Sequence, residues 1–173
     1  MAYDVANRLK QVSPTSGGTE YYGYAPDNKR IFRVKPDGSE EWTLYGIRGE
    51  KAGRFTTPQL IPTYPALASF VVVSMNVWFD GRLVSENGVM VYQDRLGTNR
   101  AGGARFRPFG DEISSTANDR VKFGTYTRDS FTGLDYADQR FYASTYGRFN
   151  TADPYKASAG ASDPGSWNRY AYV

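Results

Sequence analysis

The chain of 173 residues has no cysteine and no histidine. The first absence removes disulfides, thiolate nucleophiles and zinc-thiolate sites. The second removes the commonest general base and metal ligand, so serine-histidine and cysteine-histidine hydrolases are excluded. No cofactor or metal site is expected. Long apolar runs are missing as well. The longest, Phe70 to Val73 continued through Met75 and Val77 to Phe79, is broken by Ser74 and Asn76 and is too short for a membrane-spanning helix. It does not sit where a signal peptide would, and Met1 leads directly into patterned sequence, so no signal peptide is expected in this chain. Charge of one sign is not concentrated anywhere: 21 basic and 18 acidic residues are interspersed, for a net charge of +3. That leaves no dense basic face and gives no reason to expect nucleic acid as a partner.

Aromatic residues make up 16% of the chain, with 14 tyrosines, 18 glycines and 9 prolines. This composition favours short strands joined by tight turns over helices, and the length suits a single all-β unit of antiparallel hairpins with a real core. Residues 1–46 read as hairpins, with turns at Ser16-Gly17-Gly18, Pro26-Asp27-Asn28 and Lys35-Pro36-Asp37-Gly38. Tyr3 and Tyr24 lie 21 residues apart, close to the lower end of solenoid repeat periods. A repeat of this kind leaves sheet edges open, which predicts stacked neighbours, copies of itself included. Residues 47–69, with Pro58, Pro62 and Pro65, read as a surface loop. Residues 70–173 form the remaining segment, one structural unit with the repeats. It opens on a strand, Phe70 to Phe79, expected to be buried on both faces, and continues through turns at Asp80-Gly81 and Asn87-Gly88.

Two local patterns invite a binding role and are better explained by strand and turn geometry. Asp94 to Arg100 has one glycine among hydroxyl and basic groups, but no following helix or second glycine to cradle a phosphate. Arg105 to Gly110 alternates basic and aromatic residues, as a strand with one packed and one solvated face does.

The densest patterning runs from Thr125 to Val173. Phe123 to Thr127 reads as a strand, Arg128 to Gly133 as a turn, Leu134 to Ser144 as a second strand, Thr145-Tyr146-Gly147 as a turn, and Arg148 to Asn150 as a third strand stopped by Asp153-Pro154. Asp129 and Asp153 bound this meander 24 positions apart. Two such turns can meet in space. If their carboxyls share a partly buried pocket, like-charge repulsion raises one pKa and leaves a protonated acid beside an ionised base, able to activate water on an amide. Aspartate before proline or serine is also an ordinary turn residue, and Asp135, Asp138 and Asp163 are competing carboxylates.

The order DSFTGLDYADQRFYASTYGRFNTADP, followed by SWNRYAYV, closely resembles the C-terminal end of the core domain associated with Rhs, or YD, repeats. Tyr3 to Leu9 resembles one YD repeat and Tyr24 to Ile31 a degenerate one, while Val77 to Val84 and Asp94 to Arg100 extend the match over nearly the whole chain. The resemblance implies a β-sheet shell or cap that isolates a polymorphic toxin, with this chain a structural, non-catalytic fragment of it. It implies partners in the remainder of that shell, a C-terminal toxin in the parent chain, and a parent that is secreted or extracellular. It also implies a second reading: an aspartyl-type self-cleaving module that releases the toxin, with Asp129 and Asp153 as the catalytic residues and Arg128 as a charge partner. Val173 closes the chain before the family's usual cleavage region, so the scissile bond is expected to be absent. A third reading is self-association through unpaired edges into an oligomer or filament.

Overall fold

The computed structural model describes residues 1–57, 70–154 and 164–172. Every regular element longer than a short 3-10 turn is a strand, and the strands form two antiparallel meanders. The first has nine strands in sequence order: β1 (Ala2–Tyr3), β2 (Leu9–Val12), β3 (Glu20–Tyr24), β4 (Arg30–Val34), β5 (Glu40–Tyr45), β6 (Lys51–Thr57), β7 (Val71–Phe79), β8 (Arg82–Glu86) and β9 (Val89–Met90). The second has five: β10 (Arg120–Val121), β11 (Thr127–Arg128), β12 (Asp135–Ala137), β13 (Arg140–Ala143) and β14 (Arg148–Phe149). The all-β expectation holds.

One turn design joins many of these strands. In Asp4–Arg8, Ala25–Lys29, Lys35–Ser39, Gly46–Glu50, Asp94–Thr98 and Arg107–Asp111, the first N–H donates to the fifth carbonyl and the fourth N–H donates to the first carbonyl. The fourth residue takes a left-handed conformation in each case, which is why asparagine or glycine stands there: Asn7, Asn28, Gly38, Gly49, Gly97 and Gly110. The 21-residue spacing extends to a third copy at Tyr45. The Tyr24 hydroxyl donates to the Leu9 carbonyl at 2.6 Å with the Arg8 guanidinium 4.9 Å from its ring. One period later, the Tyr45 hydroxyl donates to the Arg30 carbonyl at 3.0 Å with the Lys29 ammonium 4.7 Å from its ring.

Several local expectations are corrected. The expected loop 47–69 contains β6, which pairs along its length with β5 and β7, so neighbouring strands supply the ladder that its glycine-interrupted pattern hid. Residues 58–69 of that loop, prolines included, lie outside the described residues. The expected strand Phe123 to Thr127 is largely the β10–β11 turn, with Gly124 and Thr125 both at positive φ. Leu134 to Ser144 is two strands, because Asp138 takes a left-handed conformation and folds β13 back on β12.

Strand β7 is where Phe70 to Phe79 was expected, but it is not buried on both faces. Val71, Met75, Val77 and Phe79 are exposed, while Ser74 faces inward and is buried. The same inversion holds on β5, where Glu41 and Thr43 are buried and Leu44 is exposed. Apolar packing concentrates in three clusters, the first two between the sheets and the third within the second sheet and the C-terminal segment. Leu9, Val12 and Tyr22 meet Tyr136 and Phe141; Leu83 and Val91 meet Val121; Phe123, Tyr142 and Phe149 gather around Tyr126 and Tyr172. Between these clusters the two sheets meet through charge. The C-terminal segment returns to β14, where Arg148 bridges Ala171 and the Phe149 N–H donates to the Tyr170 carbonyl, so that edge is covered.

Candidate functional site: a charge lattice between two sheets

Alternate inward positions on neighbouring strands carry opposite charges. Glu20 on β3, Arg33 on β4, Glu41 on β5 and Arg54 on β6 are all buried, and Glu20 to Glu41 and Arg33 to Arg54 each repeat the 21-residue spacing. Arg33 Nε lies 2.8 Å from Glu41 Oε1, and Arg54 Nη1 lies 3.2 Å from the same oxygen. Arg33 Nη1 is shared by three carboxylates: Glu20 Oε1 at 3.3 Å, Asp119 Oδ1 at 3.3 Å and Asp129 Oδ1 at 3.4 Å. Arg54 closes the row by donating to the Asp119 carbonyl at 2.7 Å and to Ser74 Oγ at 3.2 Å.

Asp129 is the anchor from the second sheet. It is 0% exposed and accepts two bonds from Arg30, Nη1 at 2.6 Å and Nη2 at 3.0 Å. The fork geometry of arginine suits this two-point contact. The Arg30 guanidinium also lies 5.2, 4.5 and 5.5 Å from the ring centres of Tyr22, Tyr136 and Phe141, and its backbone N–H donates to the Tyr136 hydroxyl at 2.5 Å. Burial disfavours the charge on Arg30, but Asp129 more than offsets that and raises its pKa.

The lattice separates carboxyls by environment. Burial pushes Glu41 up, yet Arg33 and Arg54 beside it hold it at about 2. Asp119 is likewise held at about 2, against burial, by Arg33 and by bonds from Ser130. Glu20 goes the other way. Burial dominates, Arg33 only partly offsets it, Asp129 adds repulsion, and its pKa rises to about 7. Its Oε2 is buried with no hydrogen-bond partner. Glu20, its carboxyl pushed up by burial, and Asp129, bound by Arg30, therefore share the Arg33 guanidinium.

The residues singled out from sequence occupy three distinct places. Asp129 sits in this lattice. Asp153, partly exposed, faces Arg140 Nη2 at 3.4 Å, and its backbone is bonded to Arg169. Arg128 forks onto Asp135 with both bonds at 2.8 Å and also reaches the Gly110 carbonyl and Ser144 Oγ. Arg128 is thus the charge partner of Asp135, and Arg30 and Arg33 are those of Asp129. Glu20, Arg30, Arg33, Glu41 and Arg54 were missed from sequence. The available signal was like charge recurring at the 21-residue period inside strand windows. Among the described residues no group of three or more carboxylates is arranged to hold a metal ion.

The fold has clear counterparts in solved structures. No protein-family model and no curated protein matches the sequence. In a Tc holotoxin pore of Photorhabdus luminescens carrying a TccC3 point variant, 99% of this chain superimposes with a TM-score of 0.61 at 18% identity. The TcdB2–TccC3 complex matches over 99% of this chain with a TM-score of 0.62 at 19% identity, and the same complex without its hypervariable C-terminal region matches with 0.61 at 20%. The fold is that of a segment of these chains. The chain spans about a tenth of their length, 9 to 10%.

Proposed function

We propose that this chain is a structural segment of a toxin-enclosing Rhs-type shell, contributing a short stretch of wall. The observation that carries the reading is the inverted face of β5 to β7: charge is locked inside while Leu44, Val71, Met75, Val77 and Phe79 stand exposed. An outward apolar row of this kind calls for cover by another part of a larger assembly. Among the described residues no further strand pairs with the outer edges of β1 and β9, which offer their backbone groups to the same neighbours, either the remainder of the parent chain or further copies of this one. In this reading Asp129 locks the second sheet onto the first, and the parent acts outside the cell that makes it.

Sedimentation over about a hundredfold concentration range tests the idea, since association through open edges follows mass action. The isolated chain is expected to self-associate. Met90→Pro should weaken that at least tenfold, because the Val91 N–H donates inward to Val84 and the neighbouring Met90 N–H faces out. A chain that stays monomeric throughout would count against the wall reading.

A second reading has one observation in its favour: Glu20, a carboxyl with a raised pKa, shares Arg33 with Asp129. That is an acid beside an arginine-held carboxylate, the pairing a self-cleaving aspartyl module needs. Cleavage in a chain extended past Val173, lost in Asp129→Asn with the fold intact, would support it. Cleavage unaffected by Asp129→Asn would remove it.

A further inference from the structure

A cleft of about 590 Å³ opens beside the charge lattice, lined among others by Lys51, Glu50, Trp78, Thr127 and Asp138. Lys51 reaches into it from the start of β6, and the only hydrogen bond from its Nζ among the described residues goes to Thr127 Oγ1 at 2.5 Å. No carboxylate among the described residues lies within ion-pair distance of that nitrogen. Lys122, a fully buried lysine where Lys51 is half-buried, contrasts with it by holding Glu112 at 2.6 Å.

We propose that Lys51 Nζ is a nucleophilic amine that captures small aldehydes in this cleft as a reversible imine. The lone pair of the neutral amine adds to the carbonyl carbon, a proton moves from nitrogen to oxygen, and the carbinolamine loses water to give the C=N bond. No oxidant or activated co-substrate is needed. Lysines become nucleophilic in this way when desolvation and neighbouring cations disfavour the ammonium. Both influences act here: burial first, then Arg30 and Arg54, lower the Lys51 pKa to about 8, while Asp138 and Asp129 oppose them. Glu86 on β8 is a further acid within electrostatic reach, itself pushed up by burial. Thr127 supplies the positioning contact: its Oγ1 holds Lys51 Nζ at the cleft wall, where the carbinolamine exchanges its proton with water in the open cleft. The cleft volume lies within the range of small-molecule sites, about 300–1,000 Å³.

The test uses the chain itself with propionaldehyde and cyanoborohydride, which traps an imine as a stable secondary amine, followed by peptide mass spectrometry. At neutral pH, Lys51 is expected to be trapped at least about tenfold faster than Lys10 and Lys35, because a larger fraction of it is neutral. Its rate should level off above a pH of about 8. Trapping at Lys51 no faster than at Lys10, or a rate at Lys51 that does not level off above a pH of about 8, would overturn the assignment. The measurement is made on the unaltered chain, so it does not depend on any variant folding, and it is independent of the shell reading.

Discussion

Replacing Asp129 by asparagine keeps the shape of the side chain and removes the charge that Arg30 and Arg33 share. The site is closed to solvent: Asp129 is 0% and Arg30 6% exposed. Water therefore cannot substitute for the lost carboxylate. Breaking a buried ion pair from one side typically costs about 3 to 5 kcal/mol, because the remaining charge is left unpaired in a poorly polarisable environment. Arg33 retains Glu20, Glu41 and Asp119, so the penalty falls mainly on Arg30, whose other neighbours are the rings of Tyr22, Tyr136 and Phe141. Those rings recover part of the loss, so about 3 to 4 kcal/mol is expected. For a chain of this size that corresponds to a melting temperature lower by roughly 6 to 16 °C. Thermal unfolding followed by circular dichroism reads it directly. The double variant Arg30→Met with Asp129→Leu removes both charges into an aromatic setting and should regain at least half of the loss, and the four-member cycle gives the coupling. A drop of less than about 1 kcal/mol for Asp129→Asn would refute the claim that this pair locks the two sheets.

Two further predictions concern pH and the C-terminal segment. Glu20 has its pKa raised by burial to about 7 in the folded chain from 4.5. The folded state thus holds a proton that the unfolded state has released, and stability falls as pH rises from about 4.5 to about 7. Glu41 and Asp119, both held at about 2, act oppositely: their contribution is present above the ordinary carboxylate range and lost as pH falls toward 2. Urea unfolding across pH should therefore peak near pH 4 to 5. Glu20→Gln should flatten the decline between pH 5 and 8, and an unchanged decline would reject Glu20 as its source. Tyr172 places its ring 5.4 Å from that of Tyr142 and 5.5 Å from that of Phe123. Tyr172→Ala should cost about 2 kcal/mol, less than a fully buried aromatic, and reduce the near-ultraviolet dichroism of the cluster. A loss below about 0.5 kcal/mol would mean that the segment does not seal the second sheet.

Turn chemistry made much of the fold legible in the sequence. Pro36-Asp37-Gly38, Asp80-Gly81 and Asn87-Gly88 each mark a real reversal because few residues tolerate the left-handed backbone those turns require. Strand identity was harder where tertiary pairing overrides composition. Lys51 to Thr57 shows no clean alternation and a central glycine, yet β5 and β7 clamp it from both sides. Asp138 reads as mid-strand until its left-handed conformation is seen, since aspartate pays less than most residues to adopt it. The charge lattice was hidden for a different reason. The rule that polar residues face water fails on β4 to β6, where Arg33, Glu41 and Arg54 face the second sheet.

That inversion bears on why the sheet has one register. Buried ion pairs contribute little net stability compared with well-packed apolar side chains of similar volume, so the lattice is a weak explanation for the fold being stable. It is a stronger explanation for the fold being specific. The strands are short, similar and rich in tyrosine, and a meander of this kind is prone to slip. A one-residue slip of β4 against β5 carries Arg30 and Arg33 together out of place, leaving Glu20 buried without a guanidinium, Glu41 with Arg54 alone and Asp129 with neither arginine. Apolar residues in those positions would permit the slip at small cost, because Phe32 and Trp42, which pair across β4 and β5 with ring centres 4.5 Å apart, already make the opposite face sticky. Opposite charges on successive strands at the 21-residue period favour the correct pairing from Glu20 through Arg54, which is what a sheet built from similar hairpins needs to keep one register.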